Sequence, residues 1–273
     1  MLTRIRTFFK RILSFVYPSY FRKRLVKQHK NAFENNQVDI EFEVIKQLLT
    51  PQSCVLDIGA NNGEYCYFFQ EISKVKKVYA FEPIPSLFKK LNETFPSIQV
   101  SPYAISNDNR QTKLYIPYIA HQRFETRAKL DPIKEVGETK NQEITVETKT
   151  LDSLFLASSE KIDFLKIDIE GHELQAIQGA RQLIKRDLPI MLIEIEHRHH
   201  KEEFWNVINE IKGTEYQCYF YDISIQQVVE ISQFDLEKHQ NSANKEQYYI
   251  HNLFFFPMHY SIESLNKKLN IAL

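Results

Sequence analysis

Two apolar rhythms alternate along this chain. Short continuous apolar runs at 54–58, 77–82, 98–105, 162–167 and 188–196 have the length and boundaries of buried strands. Between and before them, stretches at 39–49, 63–72, 85–95 and 172–180 space their apolar residues three and four apart, the period of an amphipathic helix. Strand and helix in alternation predict a parallel sheet with helices on both faces. In such a sheet ligands lie at the carboxyl ends of the strands, which here are closed by Asp57, Glu82, Ser106 and Asp168.

The rhythm breaks after Asn107. Thr112–Pro117 and Glu143–Thr148 alternate like strands, and about 25 mostly polar residues separate them, a long connection for a compact domain. The expectation is a lid, a substrate loop or a disordered stretch. Its His121, Arg123 and Arg127 suit an anionic substrate or, equally simply, a solvated surface. Near the end of the chain, strand patterns recur at 216–221, 225–231 and 248–256. The last two are expected to form an antiparallel edge to the sheet, with the polar stretch 235–246 between them and a polar helix at 260–270 after them.

The first 38 residues follow another rule. Leu2, Ile5, Phe8, Phe9, Ile12, Leu13 and Val16 fall on one helical face, and Arg4, Arg6, Lys10, Arg11 and Ser14 on the other, before Pro18 ends the pattern. A second basic cluster runs from Phe21 to Lys30. Two partners suit such an arm: an anionic membrane surface met through residues 2–30, or an apolar face on the same body or on a second copy in a homo-oligomer. No apolar run is long enough to span a bilayer. The expected organisation is a basic amphipathic helical arm at 1–38, an α/β domain at 39–260 and a helical tail at 261–273, in a cytoplasmic protein, peripheral at the inner face of a membrane if the arm binds there.

Composition sharpens this picture in one respect. The formal charge is zero, yet residues 1–30 hold nine of the 35 Lys and Arg and none of the 35 Asp and Glu. A basic arm on an acidic body argues against a general nucleic-acid surface, and no nucleic-acid partner is expected. The three cysteines, Cys54, Cys66 and Cys218, have neither zinc nor redox spacing and are expected as reduced, inert thiols.

Chemistry concentrates in SCVLDIGANNGE, residues 53–64. Strand, glycine turn and helix follow one another there, and such a turn lets backbone approach a ligand while the helix start offers N–H groups. Glu82 ends the next strand 23 residues after Gly59, a spacing suited to accepting hydrogen bonds from ribose hydroxyls. A dinucleotide fingerprint needs glycine at position 61, where this chain has Asn61, and Asp57 would repel a pyrophosphate. A nucleoside with a cationic or zwitterionic end fits better, and S-adenosylmethionine is one. A second cluster, KIDFLKIDIEGHELQAIQGA at 161–180, brings Asp168 to the same rim, where gathered carboxylates attract a sulfonium. Asp168-x-Glu170 is at most half of a divalent-cation site, and no metal is expected. The apolar strand ending in Glu194 and Glu196 runs into His197-Arg198-His199-His200, imidazoles suited to taking a proton from a hydroxyl.

These motifs together resemble the FkbM family of S-adenosylmethionine-dependent methyltransferases, over about Glu41 to Pro257. The matching stretches are VLDIGANNGEY (55–65), VYAFEPIPSLFKKL (78–91), AIS (104–106), TLDSL (150–154), DFLKIDIEGHELQAIQGA (163–180) and IEIEHRHH (193–200). The resemblance implies a class I methyltransferase fold, mostly parallel with an antiparallel final strand. It implies that Asp57, Gly59, Asn61 and Gly63 hold the methionine end, Glu82 the ribose, and Ala104, Ile105 and Ser106 the adenine, with Asp168 near the amino group or the acceptor. It implies methyl transfer to the hydroxyl of a sugar, glycolipid or secondary metabolite, the small-molecule or glycan partner. The base is expected among His199, His197, Asp168 and Lys166, in that order. A non-catalytic nucleoside-binding scaffold of the same fold is the competing expectation, and a nicotinamide dehydrogenase a weaker one.

Overall fold

The computed structural model describes residues 23–24, 26–31, 41–119, 122–130, 138–200, 203–241 and 249–272. The expected amphipathic helix at 2–16 lies outside the described residues, as does His121. Among the described residues no helix is long and apolar enough to cross a membrane.

The main sheet grows outward from β1 (Cys54–Ile58). β2 (Lys77–Phe81) and β3 (Gln99–Ser101) join in parallel on one side, β8 (Phe164–Ile167) and β9 (Ile190–Glu194) in parallel on the other. Beyond β9 the direction reverses: β12 (Asn252–Pro257) is antiparallel to β9 and to β10 (Tyr216–Asp222), and β11 (Gln227–Glu230) closes the edge, also antiparallel. The order β11-β10-β12-β9-β8-β1-β2-β3 is the class I methyltransferase arrangement expected. The antiparallel edge expected from the end of the chain is present, with β10 standing between β11 and β12. Every residue of β12 is buried, which requires an interior position, whereas β11 buries only its two valines and suits an edge.

Both faces of the sheet are covered, so side chains sort by twos. Leu56, Ile58, Leu165, Ile167, Met191 and Ile193 enter one core, and Val55, Phe164, Leu192, Phe254 and Phe256 the other. The helices follow the predicted spacing: α1 (Glu41–Leu48), α2 (Glu64–Tyr67, continued as a π-helical turn over Phe68–Ile72), α3 (Pro85–Thr94), α4 (Leu151–Phe155), α5 (Glu173–Gln178), α6 (Arg181–Asp187), α7 (His197–His200), α8 (Phe204–Lys212), α9 (Leu236–His239) and α10 (Ile262–Ala272). α10 belongs to the second core through Leu265 and Leu269, and Asn266 bonds both backbone groups of Val228 on β11.

Two departures from expectation involve the insert. The strand expected at 98–105 is divided at Pro102, which has no N–H for a ladder. β3 stays in the main sheet, whereas β4 (Tyr103–Ile105) starts a second sheet of order β4-β7-β5-β6. The strands expected on either side of the polar stretch extend into it as β5 (Gln111–Ile119) and β7 (Glu138–Lys149), paired antiparallel, with β6 (Gln122–Arg123) beside β5. Only one of its faces is apolar, through Leu114, Ile116 and Val146 on Ile84, Leu87 and Ala104, so the remaining positions are free to be polar.

Candidate active site at the strand tips

The carboxyl ends of β1, β8 and β9 and the amino end of the antiparallel β12 bring a row of polar side chains onto the α2 face. Asp57 is the register partner of Lys166 across the β1–β8 ladder, and Asn252 is that of Glu194 across β12–β9. Lys166 is buried and donates to Asn252 Oδ1 at 2.9 Å and to the Ile167 carbonyl at 3.4 Å, with Nζ 5.0 Å above the Tyr65 ring. Asp57, 1% exposed, accepts from Cys66 Sγ at 3.3 Å. Burial pushes its carboxyl up to about 7, against the Cys66 hydrogen bond and the charge of Lys166, and the nearby Asp168 adds to the rise. Glu194 is raised further, first by burial and then by Asp168, with Lys166 acting against both.

The glycine turn sits directly on this row. Gly59 has φ +84°, and a Cβ there would lie 1.8 Å from the Asp168 carbonyl oxygen, so only glycine lets the two turns touch. The Gly59 and Ala60 amides donate to the Phe81 carbonyl, tying the turn to the end of β2. Glu82 follows immediately and is 4% exposed. Its Oε2 accepts from the Asn61 amide at 2.9 Å and its Oε1 from the Ile84 amide at 2.8 Å. Burial lifts this carboxyl to about 7 despite those two donors. Each oxygen keeps a lone pair, the acceptor set a ribose diol needs.

Two cavities meet over these tips. A narrow slot of about 50 Å³ is lined by Glu82, Tyr103, Ala104, Ile105, Leu114 and His172, with Asp168 at its inner end. A larger cavity of about 640 Å³ is lined by Asp57, Asp168, Glu194, Lys166, Asn252 and Tyr65, among others. Gly59, Asn61, Thr126 and Asp168 border both. The donor set fits S-adenosylmethionine: apolar walls from the second sheet for adenine, Glu82 for the ribose, and carboxylates where the sulfonium would lie.

Several expected site residues take other places. Gly63 lines neither cavity; a Cβ there would meet Phe95 and Leu91 at 2.6 and 2.7 Å, so it serves helix packing. Ser106 is buried below the slot, its Oγ 2.9 Å from His172 Nε2, and therefore orients the histidine that lines it. His197 is exposed, its ring 6.1 Å from that of Phe204. His199 Nε2 lies 3.3 Å from Glu170 Oε2, and His200 Nε2 3.1 Å from Glu173 Oε2, behind the turn and outside both linings. Although burial raises the Glu173 carboxyl, His200 and the Gly171 amide bring it below its ordinary range. The histidine cluster thus braces the turn carrying Asp168. Lys166, expected as a candidate base, has its Nζ directed to Asn252, the Ile167 carbonyl and the Tyr65 ring.

Sequence reasoning missed Glu194, Asn252, Thr126, His172 and Tyr103. Glu194 carried a signal, as an acid ending a fully apolar strand, but the histidines after it drew the chemistry away. His172 offered none, since its partner Ser106 is 66 residues distant.

Comparison with known proteins bears on this site. A family model described as "Methyltransferase FkbM domain" matches residues 57–220. A comparison with curated proteins gives no match. Among solved structures, the chain is similar to a methyltransferase FkbM from Methylobacillus flagellatus KT, with 16% identity and a TM-score of 0.47, covering 76% of this chain. It spans only 44% of that longer protein. An rRNA methylase from Streptococcus thermophilus gives 12% identity and a TM-score of 0.44, covering 81% of this chain and 95% of its own. Fibrillarin from Aeropyrum pernix, solved with S-adenosyl-L-methionine, gives 13% identity and a TM-score of 0.39, covering 79% and 73%. The matched family segment, more than half of the sequence, runs from Asp57 in the glycine-turn strand to the middle of β10 and includes Glu82, Asp168 and Glu194. The chain belongs to the FkbM methyltransferase family, and the groups at these strand tips would suit S-adenosylmethionine as methyl donor.

Proposed function

We propose that this methyltransferase acts on oxygen, methylating a hydroxyl of a sugar, glycolipid or secondary metabolite held in the larger cavity. The observation that carries the reading is the junction of the two cavities at Gly59, Asn61 and Asp168. A donor lying along the slot presents its reactive end there, and an acceptor in the larger space meets it without crossing protein. The bound cofactor supplies an already activated methyl electrophile. The chain's own task is then to orient the acceptor oxygen and take its proton.

Asp168 is the residue placed for that proton. It is half-buried and borders both cavities, and its backbone is fixed by an N–H bond to the Ile58 carbonyl at 3.0 Å. Glu194, on the neighbouring strand tip, lines the larger cavity with Asp168 and adds a second acidic side chain there. Lys166 and Asn252 hold the floor between them. The experiment uses tritiated S-adenosylmethionine with glycan and lipid extracts, followed by chemical assignment of the labelled product. An alkali-stable methyl ether supports the reading. Label on nitrogen or in nucleic acid overturns it. Asp168→Asn is expected to reduce turnover by about 10²- to 10⁴-fold, the usual weight of a general base.

A further inference from the structure

The slot has a wall that belongs neither to the glycine turn nor to the strand tips. After β6 the chain makes a 3₁₀ turn, Glu125–Arg127, and is tied to β5 on both sides of it. The Phe124 amide donates to the Pro117 carbonyl at 2.9 Å, and Lys129 exchanges both backbone bonds with Tyr115, at 2.9 and 3.0 Å. Ala128 and Leu130 pack on the apolar face of the second sheet. The turn is therefore fixed at both ends, and it brings Glu125 and Thr126 into the lining of the slot. Thr126 also borders the larger cavity, and among the described residues at that junction it alone comes from the second sheet's side.

Glu125 is the residue of this turn with an acid's chemistry. Its Oε1 accepts from Ser86 Oγ, in the first turn of α3, at 2.9 Å, and from Arg123 Nη1, also at 2.9 Å. Both donors share one oxygen, so they fix the carboxylate while Oε2 accepts from no described residue. Glu82 stands close by. Its raised carboxyl owes most to burial, and among the neighbouring charges that add to the rise Glu125 comes ahead of Asp57. Two acids brought to one narrow slot disfavour each other's charge, an arrangement that becomes favourable once hydroxyl donors lie between them. Glu82 is not free to turn towards every such donor, since a backbone amide holds each of its oxygens. Resting on the reading of the slot as the place of the donor's adenosine, we propose that Glu125 is a second ribose acceptor: its Oε2 takes a hydrogen bond from one hydroxyl of the diol while Glu82 holds the other. The second sheet then contributes to donor binding directly, and not only as an apolar wall.

The test is calorimetry on the full chain with S-adenosylhomocysteine and with its 2′-deoxy and 3′-deoxy forms. In the wild type each missing hydroxyl should weaken binding by about tenfold. Glu125→Ala should bind S-adenosylhomocysteine about tenfold more weakly, and one of the two deoxy penalties, not both, should fall below about threefold, because the partner of that hydroxyl is already gone. Glu125→Gln keeps an acceptor oxygen without the charge. It should lower the same single penalty by a smaller factor, and it serves as the test if the alanine variant does not fold. Unchanged affinity in both variants overturns the inference. So does a weakened affinity with both penalties as in the wild type, which would reduce Glu125 to a support of the turn, and so does a wild type indifferent to both deletions. In each of these cases the chain still binds the donor's product. Failure of the wild type to bind S-adenosylhomocysteine sinks the donor reading itself.

Discussion

Both Glu82 oxygens already accept a backbone N–H, from Asn61 and Ile84, before any ribose arrives. Glu82→Ala therefore removes a ligand contact and also strands two amides. It should weaken S-adenosylmethionine binding by about 1–3 kcal/mol and lower stability by a similar amount. Glu82→Gln keeps one acceptor oxygen, and its smaller stability loss, read by thermal melting, separates the two roles. The proton on Glu82 and on Asp57 gives a signed pH prediction. Their folded values of about 7 stand above the unfolded ones, so the empty protein binds protons there that the unfolded chain releases. Their contribution to stability is complete below the unfolded values and is lost as pH rises through 7, about 1.4 kcal/mol per group between pH 6 and pH 8. His29 and His239, lowered by burial, oppose this in the same window, so the quantity to compare is wild type against Glu82→Gln. Cofactor affinity should move the opposite way, rising about tenfold per carboxylate from pH 6 to pH 8, because the ionised form is the one that binds. Among the histidines, His197→Ala should leave kcat/KM within about twofold, as an exposed side chain outside both cavities. Glu82 was legible because an acid closing an apolar strand at that distance from Gly59 has few structural uses. The histidine cluster misled because titratable side chains after a strand signal a site equally well when they brace it from behind.

At the level of elements, the turns after β1 and β8 and the helix start at α6 depend on backbone approaching backbone. Gly59→Ala would place a methyl 1.8 Å from the Asp168 carbonyl on a residue with φ +84°. Gly179→Ala would place one 2.0 Å from the carbonyl of Ser106, the residue that orients His172. Each should cost about 1–3 kcal/mol or more in chemical denaturation, and each should weaken cofactor binding by displacing a wall of the slot. Wild-type cofactor affinity in either variant would show that these turns do not shape the slot. The strand–helix alternation was readable through β1, β2, β8 and β9 because both faces are buried and their apolar runs are unbroken. The two long strands of the second sheet were readable at 112–117 and 143–148, but neither their separation from the main sheet nor the reach of β7 back to Glu138 was, since β7 buries few of its side chains and its polar positions imitate a loop. Pro102 gave the only local hint that one apolar run serves two sheets.

Across the whole molecule, acids converge at the strand tips around the buried Lys166, and the larger cavity also takes Arg24 from the N-terminal segment and Lys90 from α3. The sequence displayed the imbalance between arm and body but placed no part of the arm. His29 lies 25 residues before the start of β1, and only tertiary packing brings it over Asn62 and Tyr67. The central claim is that the floor carboxylates recognise a positively charged methyl donor. It is tested most directly by calorimetry of S-adenosylmethionine and S-adenosylhomocysteine, at pH 8, on the wild type and on Asp57→Asn. The two ligands share every group except the sulfonium charge and its methyl. The variant should lose about tenfold in affinity for S-adenosylmethionine and less than about threefold for S-adenosylhomocysteine. Equal losses for both, or no loss for either, would contradict the account.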